Sequence, residues 1–488
     1  MSVSGGFGLS SFFLSNASLS GLWQGFRSTF VSTLDYERCA SLHNKIVEIG
    51  WERSGRDLKD LEKKNWFERY GEDASSIRSS LSSDLVAFLE RTWAVDSNDH
   101  SFFYYVWGLQ TPKMLTWSHQ TQNDGAGFDR FVTLYSANNM VSHYDGLVFD
   151  QLTNKAIMQM SIFDSFIIHN RRQSWYALEV VLDAWLDMIK IGKVEAVRKV
   201  GHSSHSDFPP WIIRPYSELM LQETIDAFNA LVDAIESRMS GTSSEPPVIG
   251  ILDQQQLKSA KILPGFAHDF FLRARRPRFR YVAPGLLIPS QESILSQPFF
   301  ALNPEPNRWP YNEVDDPQTL TVPPVLLFAS TDTFKTLVPP STSTPAYKHL
   351  AAFGFPFHNL SSFPAGLYLS PADRTYNNVF EDSVRLVLPY TIGIHGFART
   401  SDGARFGENT ESENVEAQGR YTSLYQQGYN PFIERHDVRL VTVLKKWTAM
   451  VEKGLWGVGR EGVKGGMGEW KRADMAIGWK DYVCDVTW

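Results

Sequence analysis

Cysteine is nearly absent from this chain. Only Cys39 and Cys484 occur in 488 residues, far apart and without a C-x-x-C partner, so neither a disulfide framework nor a thiolate metal site is expected. A reducing compartment suits that usage. Several catalytic signatures are also missing: there is no G-x-S-x-G elbow, no P-loop, no G-x-G-x-x-G after a strand and no H-E-x-x-H. His202 and His205, in H-S-S-H, sit in a polar Gly/Ser/Pro loop rather than on a helical turn. Asp315–Asp316 precede Pro317 in a proline-rich stretch, which reads as a surface turn. No metal and no cofactor are expected. Long apolar runs are lacking too, since nothing approaches the roughly 20 residues needed to span a bilayer. Gly8–Leu14 lacks the basic flank of a secretory signal and is interrupted by serines. A soluble cytoplasmic protein follows, with residues 1–35 as a loosely ordered leader and no membrane partner.

What is present divides by texture. From Tyr36 to about Met239 the pattern is mainly helical. Residues 52–70 alternate in charge and read as a solvated helical face or charged connector. Leu178–Ile191 is apolar at helical spacing and stops before Gly192. Ser217 can cap a helix whose stripe Leu221, Ile225, Phe228, Val232, Ile235 and Met239 keeps a 4-3-4-3-4 spacing. Residues 240–247, S-G-T-S-S-E-P-P, are the best linker. Beyond them come short β-branched runs: Val248–Leu252, Phe279–Ala283, Val325–Ala329, Leu367–Leu369 and Val384–Ile394. A helical pattern returns over Glu434–Glu452. The fold class expected is mixed α/β (α+β). It has a helix-rich region over 36–245 and a strand-rich region over 246–488 with room for a Rossmann-like parallel sheet, the two packed as one unit.

Charge concentrates in one place. Between Arg273 and Tyr281 the chain reads R-A-R-R-P-R-F-R-Y, with Arg273, Arg275, Arg276, Arg278 and Arg280 but no lysine, inside a protein of formal net charge −7. Guanidinium groups grip phosphate in pairs and stack on bases, so the block points to RNA; the competing reading is that these arginines pair with the chain's own carboxylates. On the 217–239 helix Glu223, Asp226, Asp233 and Glu236 lie off the apolar stripe, which suits a cationic ligand or a carboxylate base, or an ordinary solvated face. The entry turn adds Tyr216 and Glu218 near a helix N-terminus. The loop Ile392–Asn409 carries Gly393, Gly396, Gly403 and Gly407 with His395, Arg399 and Arg405. Such a loop suits phosphate or carboxylate, with ordinary turn use of glycine as the alternative. Ser330 ends an apolar run where a strand-end nucleophile would sit, without an adjacent base.

Three blocks together, P-P-W-I-I-R-P-Y-S-E, R-A-R-R-P-R-F-R-Y-V-A-P-G and H-G-F-A-R-T-S-D-G-A-R-F-G-E-N-T, resemble the fungal arginine-containing cyclodipeptide synthases over roughly residues 100–488. The resemblance implies an aminoacyltransferase that joins arginyl-tRNA and a second aminoacyl-tRNA into a cyclo(Arg-X) diketopiperazine for secondary metabolism, without ATP and without DNA as a partner. On that reading Arg273, Arg275, Arg276, Arg278 and Arg280 hold tRNA, and Asp233, Glu236, Glu218 and Tyr216 are catalytic. His395, Arg399 and Arg405 contact substrate. The family's Asp-Asp-x-x-Glu motif has no intact copy here; Val232-Asp233-Ala234-Ile235-Glu236 keeps its second Asp and its Glu. Two other classes stay open: a non-catalytic RNA- or tRNA-binding protein, and a biosynthetic enzyme acting on a small aromatic or terpenoid substrate.

Overall fold

A computed structural model describes residues 33–95, 100–115, 130–137, 146–159, 175–198, 209–240, 246–299, 321–335, 362–373, 380–406, 421–426, 428, 430–433 and 438–488. His202, His205, Asp315–Asp316 and the proposed leader up to residue 32 lie outside the described residues, as does most of the 240–247 linker.

The first hydrophobic core gathers α1 (Tyr36–Arg53), α2 (Trp66–Ile77), α3 (Ser83–Leu89) and α4 (Leu178–Lys190) against a five-stranded sheet. Its strands run in the order β1 (Val106–Leu109), β2 (Phe131–Ala137), β3 (Gly146–Asp150), β4 (Lys155–Gln159) and β5 (Tyr176–Ala177), every pairing antiparallel. The region is helix-rich as expected, and it also carries this sheet, which the helical expectation did not include. β3 is buried at all five positions, so it shows no apolar/polar alternation, and a short continuous apolar run reads equally as buried helix. The charged 52–70 stretch is a connector: α1 ends at Arg53, a single 3-10 turn spans Leu58–Asp60, and α2 begins at a fully buried Trp66 capped by Asn65. α4 stops as expected, at Gly192 with φ +74°.

β6 (Val194–Ala196) pairs antiparallel with β7 (Trp211–Ile213) and leads into α5 (Glu218–Glu236). Ser217 caps that helix by accepting from the Met220 amide at 3.1 Å. Leu221, Ile225, Phe228, Val232 and Ile235 of the expected stripe are buried, whereas Met239 lies past the helix end. α5 joins the two cores, because Met220 belongs to the first and Leu221 onward to the second. The second core also takes in α6 (Gln254–Ser259), α7 (Phe266–Arg273), α8 (Gln291–Leu295), α9 (Leu440–Glu452) and two sheets. The smaller sheet contains β8 (Tyr281–Ala283) and β9 (Leu286–Leu287). A separate two-stranded ladder joins β10 (Thr321–Val322) to a later partner. The larger sheet has the order β11 (Val325–Lys335), β12 (Ser362–Leu369), β14 (Val384–Ile392), β15 (Tyr421–Leu424), and the partner of β10 is β13 (Ala372–Asp373). β16 (Val458–Gly459) and β17 (Gly462–Val463) complete the smaller sheet beside β8.

Mixed α/β architecture is therefore what the chain has. Among the described residues there is no Rossmann-like parallel sheet: β11, β12, β14 and β15 pair antiparallel throughout, and the one parallel pairing is Gly462 with Tyr281. Val248–Leu252 forms no strand, only an isolated bridge from Ile249 to Arg275. The cores interlock at the far end of the chain, where Val486 and Trp488 return to the first core and Trp488 donates to Asp187 at 3.1 Å.

Candidate functional site

The arginine block begins where α7 ends. From Arg276 to Arg280 burial alternates residue by residue, with Pro277 and Phe279 turned inward and Arg276, Arg278 and Arg280 exposed. Phe279 is core, so it is not available to stack on a base. Tyr281 is half-buried, with the Arg280 guanidinium 5.4 Å from its ring centre. The Arg280 amide donates to the Glu461 carbonyl at 3.0 Å, which brings the β16–β17 turn and exposed Arg460 alongside.

Arg273 and Arg275 turn the other way, onto α5. Arg273 donates to Glu218 at 2.9 Å and to Gln222 at 3.0 Å, and that hydrogen bond holds the Glu218 carboxyl below its ordinary range. Arg275 forks across Asp233 and Glu236, 2.5 Å to each, while its amide donates to the Asn229 side chain at 3.1 Å. Glu236 also accepts from the Arg278 amide at 3.1 Å. Tyr216 donates its hydroxyl to Asp269 at 2.7 Å, and Asp269 faces His268 Nδ1 at 3.0 Å. Thus the tRNA-binding and catalytic candidates do meet, but as partners of one another. The acidic face of α5 receives a guanidinium, and the guanidinium is the chain's own.

The Gly/Arg loop follows the same pattern. Asp474, buried in a 3-10 segment spanning Met467–Asp474, accepts four backbone amides of that loop: Gly393 at 2.8 Å, His395 at 2.9 Å, Phe397 at 2.8 Å and Ala398 at 3.0 Å. Convergent amides of this kind form an anion nest, and glycine at 393 (φ +95°) and 396 (φ +73°) permits the required backbone. The anion that fills it is internal. The His395 side chain is exposed, Arg399 lies 4.7 Å over Trp479 and donates to the Gly396 carbonyl at 2.9 Å, and Arg405 is exposed at the loop's return. Ser330 accepts the Asp332 amide at 3.1 Å, a local turn contact.

One ionic cluster escaped the sequence reading. Lys193 is fully buried between the cores, donating to the Pro215 carbonyl at 2.8 Å and to the Arg214 carbonyl, with its ammonium 3.7 Å from the Phe380 ring centre; burial pushes it down to about 7. Next to it Glu381 accepts the Phe266 amide at the start of α7 at 2.9 Å, and buried Asp382 accepts Arg439 Nε at 2.8 Å. Arg439 stacks 4.3 Å over Trp488. These partners are separated by dozens to hundreds of residues, so spacing along the chain carries no trace of them. Both cysteines are buried and free in different cores, their thiols pushed up by burial, Cys484 to about 12. Among the described residues no group of three or more His, Cys, Asp or Glu side chains is placed to hold a metal, and no helix is long and apolar enough to cross a membrane. Comparison with protein-family models, with curated proteins and with solved structures finds no significant match to this chain.

Proposed function

We propose that this chain binds a defined RNA end, the acceptor arm of an aminoacyl-tRNA, through Arg276, Arg278 and Arg280 with Arg460 beside them. The observation that carries the reading is the alternation that leaves Arg276, Arg278 and Arg280 exposed, Arg276 and Arg278 each donating one bond to a backbone carbonyl (Gly250 at 3.0 Å, Pro246 at 3.3 Å), while Arg273 and Arg275 neutralise α5. On a protein of net charge −7, a ridge this narrow favours a small RNA end over general nucleic-acid binding. Extending the resemblance of the three sequence blocks, the bound substrates are arginyl-tRNA and a second aminoacyl-tRNA, the product is a cyclo(Arg-X) diketopiperazine, and the compartment is the cytoplasm. The α-amine of one aminoacyl ester attacks the carbonyl of the other. The terminal ribose hydroxyl of one tRNA leaves with the proton, and a second attack of the same kind closes the ring. The ester bonds supply the activation, so no ATP is consumed.

Within this proposal Asp233 and Glu236 take the amine proton or hold an ammonium, with Glu218 and Tyr216 nearby and His395, Arg399 and Arg405 as further substrate contacts. Arg275 has to release the two carboxylates first. The test is expression in a heterologous host followed by mass spectrometry for cyclo(Arg-X), with ribonuclease treatment of the lysate. Product that ribonuclease abolishes and that is lost in Glu236→Gln, with tRNA binding intact, supports the assignment; wild-type turnover by that variant removes Glu236.

A second reading has its own observation. Glu218, Asp233, Glu236 and Tyr216 all have partners within the chain, as a structural helix face does. A tRNA- or RNA-binding protein without chemistry would be built this way. It predicts tight, ribonuclease-sensitive binding and no diketopiperazine in any active preparation.

A further inference from the structure

The Asp474 nest does more than close a loop, because of what projects on either side of it. Ile394 lies between the two amides that bond Asp474 Oδ2, and it is 63% exposed. Met475, next in sequence to Asp474, is 44% exposed, and Ile477 is 87% exposed. Large aliphatic side chains exposed singly are ordinary on a protein surface. Three of them within three residues of the Asp474 junction, on two turns that four hydrogen bonds fasten together, make an exposed apolar tip.

Around the tip basic side chains outnumber acidic ones, Glu469 and Asp332 lying near Tyr390. Lys471–Lys480 reads K-R-A-D-M-A-I-G-W-K, where Lys471, Arg472 and Lys480 stand against Asp474, whose charge is buried in the nest; half-buried Asp481 follows. Arg399 lies 4.7 Å and Lys480 5.7 Å from the Trp479 ring centre, and Lys471 lies 5.0 Å from that of Tyr390. Half-buried aromatic rings with cations over their faces, in the same two chain segments as the projecting aliphatic chains, supply the components a bilayer surface takes: apolar chains for the acyl region, aromatics for the headgroup level and cations for lipid phosphates.

We propose that this tip, Ile394, Met475 and Ile477 with its rim of Arg399, Lys471, Arg472 and Lys480, is a docking surface for an anionic lipid bilayer. A lipid surface fits better than an acidic protein. A specific protein interface needs roughly 800 Å² per partner with a packed centre, whereas the apolar part here is a few side chains projecting from turns. Peripheral membrane attachment combines a small inserted apolar element with basic residues facing anionic headgroups, and neither component suffices alone. The proposal uses none of Arg273–Arg280; it shares only Arg399 with the substrate contacts proposed above, and the variants that test it leave Arg399 in place.

Co-sedimentation of the ribonuclease-treated full chain with phosphatidylcholine vesicles, with and without phosphatidylserine, tests it. The wild type is expected to bind the phosphatidylserine vesicles, to release in high salt, and to bind pure phosphatidylcholine about tenfold more weakly or less. Ile394→Ser/Ile477→Ser and Lys471→Glu/Lys480→Glu should each weaken binding by about tenfold or more with unchanged far-UV circular dichroism, all four positions being on the surface. Failure of the wild type to bind anionic vesicles overturns the proposal. So does undiminished binding by either double variant, or attachment of the tip to an acidic protein in the absence of any vesicle binding.

Discussion

Arg275 donates one arm of its guanidinium to Glu236 at 2.5 Å and so fastens the arginine block to the helix 39 residues before it. The second arm reaches Asp233, but the two contacts differ in depth: the Glu236 side chain is 21% exposed and that of Asp233 67%. Solvent screens the outer pair, and exposed ion pairs contribute less than about 1 kcal/mol. Removing Arg275 leaves Glu236 partly buried with only the Arg278 amide to compensate it, a loss of about 1–3 kcal/mol. Arg275→Ala should therefore lower the urea midpoint clearly, while Asp233→Ala barely moves it. In double-mutant cycles the Arg275/Glu236 coupling should exceed the Arg275/Asp233 coupling. Equal couplings would mean that the fork does not discriminate between its two carboxylates.

The outward arginines should behave differently. In RNA binding each phosphate contact steepens the fall of log affinity with log salt by roughly 0.7 to 0.9. Replacing Arg276, Arg278 and Arg280 together should flatten that slope by about 2 units or more with the unfolding midpoint nearly unchanged. Arg273→Ala, whose Glu218 partner is 70% exposed and screened by solvent, should leave both the slope and the unfolding midpoint almost as they were. If the triple variant keeps the wild-type slope, RNA does not lie on this ridge.

Much of this division was legible in the sequence, and the illegible part has a physical cause. The α5 stripe, its Ser217 cap and the stop at Gly192 depend on neighbours within one or two helical turns, and those could be read directly. Charge sign was readable too: an arginine block, an acidic helix and an amide-rich glycine loop were each recognised as seeking an opposite charge. What spacing could not supply was the partner. Arg275 and Asp233 are 42 positions apart and Asp474 is 81 from Gly393, so whether each charge meets a ligand or its own chain is settled only by folding. β3 and its neighbours were missed for a related reason, because burial on both faces erases the period of two that marks a strand.

Asp474 offers a direct measure of that internal pairing. Its two oxygens satisfy four amides in a setting from which solvent is largely excluded. Asp474→Ala strands all four donors, and even a fraction of the usual cost of a buried unsatisfied amide gives a loss of roughly 3 kcal/mol or more. Asp474→Asn keeps one acceptor oxygen and should fall between that variant and the wild type. Amide hydrogen exchange at Gly393, His395, Phe397 and Ala398 should accelerate in both. Protection unchanged in Asp474→Ala would show that the loop is held by something else.

Acid should loosen the first core before the second, through two histidines. His43 is fully buried, with Nε2 3.0 Å from the Trp93 carbonyl and Nδ1 2.8 Å from the Tyr135 hydroxyl. The carbonyl can only accept, so Nε2 carries the proton and Nδ1 accepts from the tyrosine, which defines a neutral tautomer. His100 is buried against Trp51, and among the described residues neither of its ring nitrogens has a hydrogen-bond partner. Burial, joined at His100 by the charge of Arg56, pushes both down to about 4, whereas an unfolded chain titrates near 6.5. Between those values the unfolded state binds more protons than the folded one, so stability rises with pH across the window and is lost as pH falls from about 6.5 to about 4. Each histidine should account for about 3 kcal/mol of that loss. His100→Phe should remove one share, making the decline in unfolding free energy between pH 6.5 and 4 shallower by about 3 kcal/mol than in the wild type. The comparison of the two chains cancels the carboxylates that titrate in the same range. Parallel curves for the variant and the wild type would mean that His100 takes up its proton in the folded state as readily as in the unfolded one.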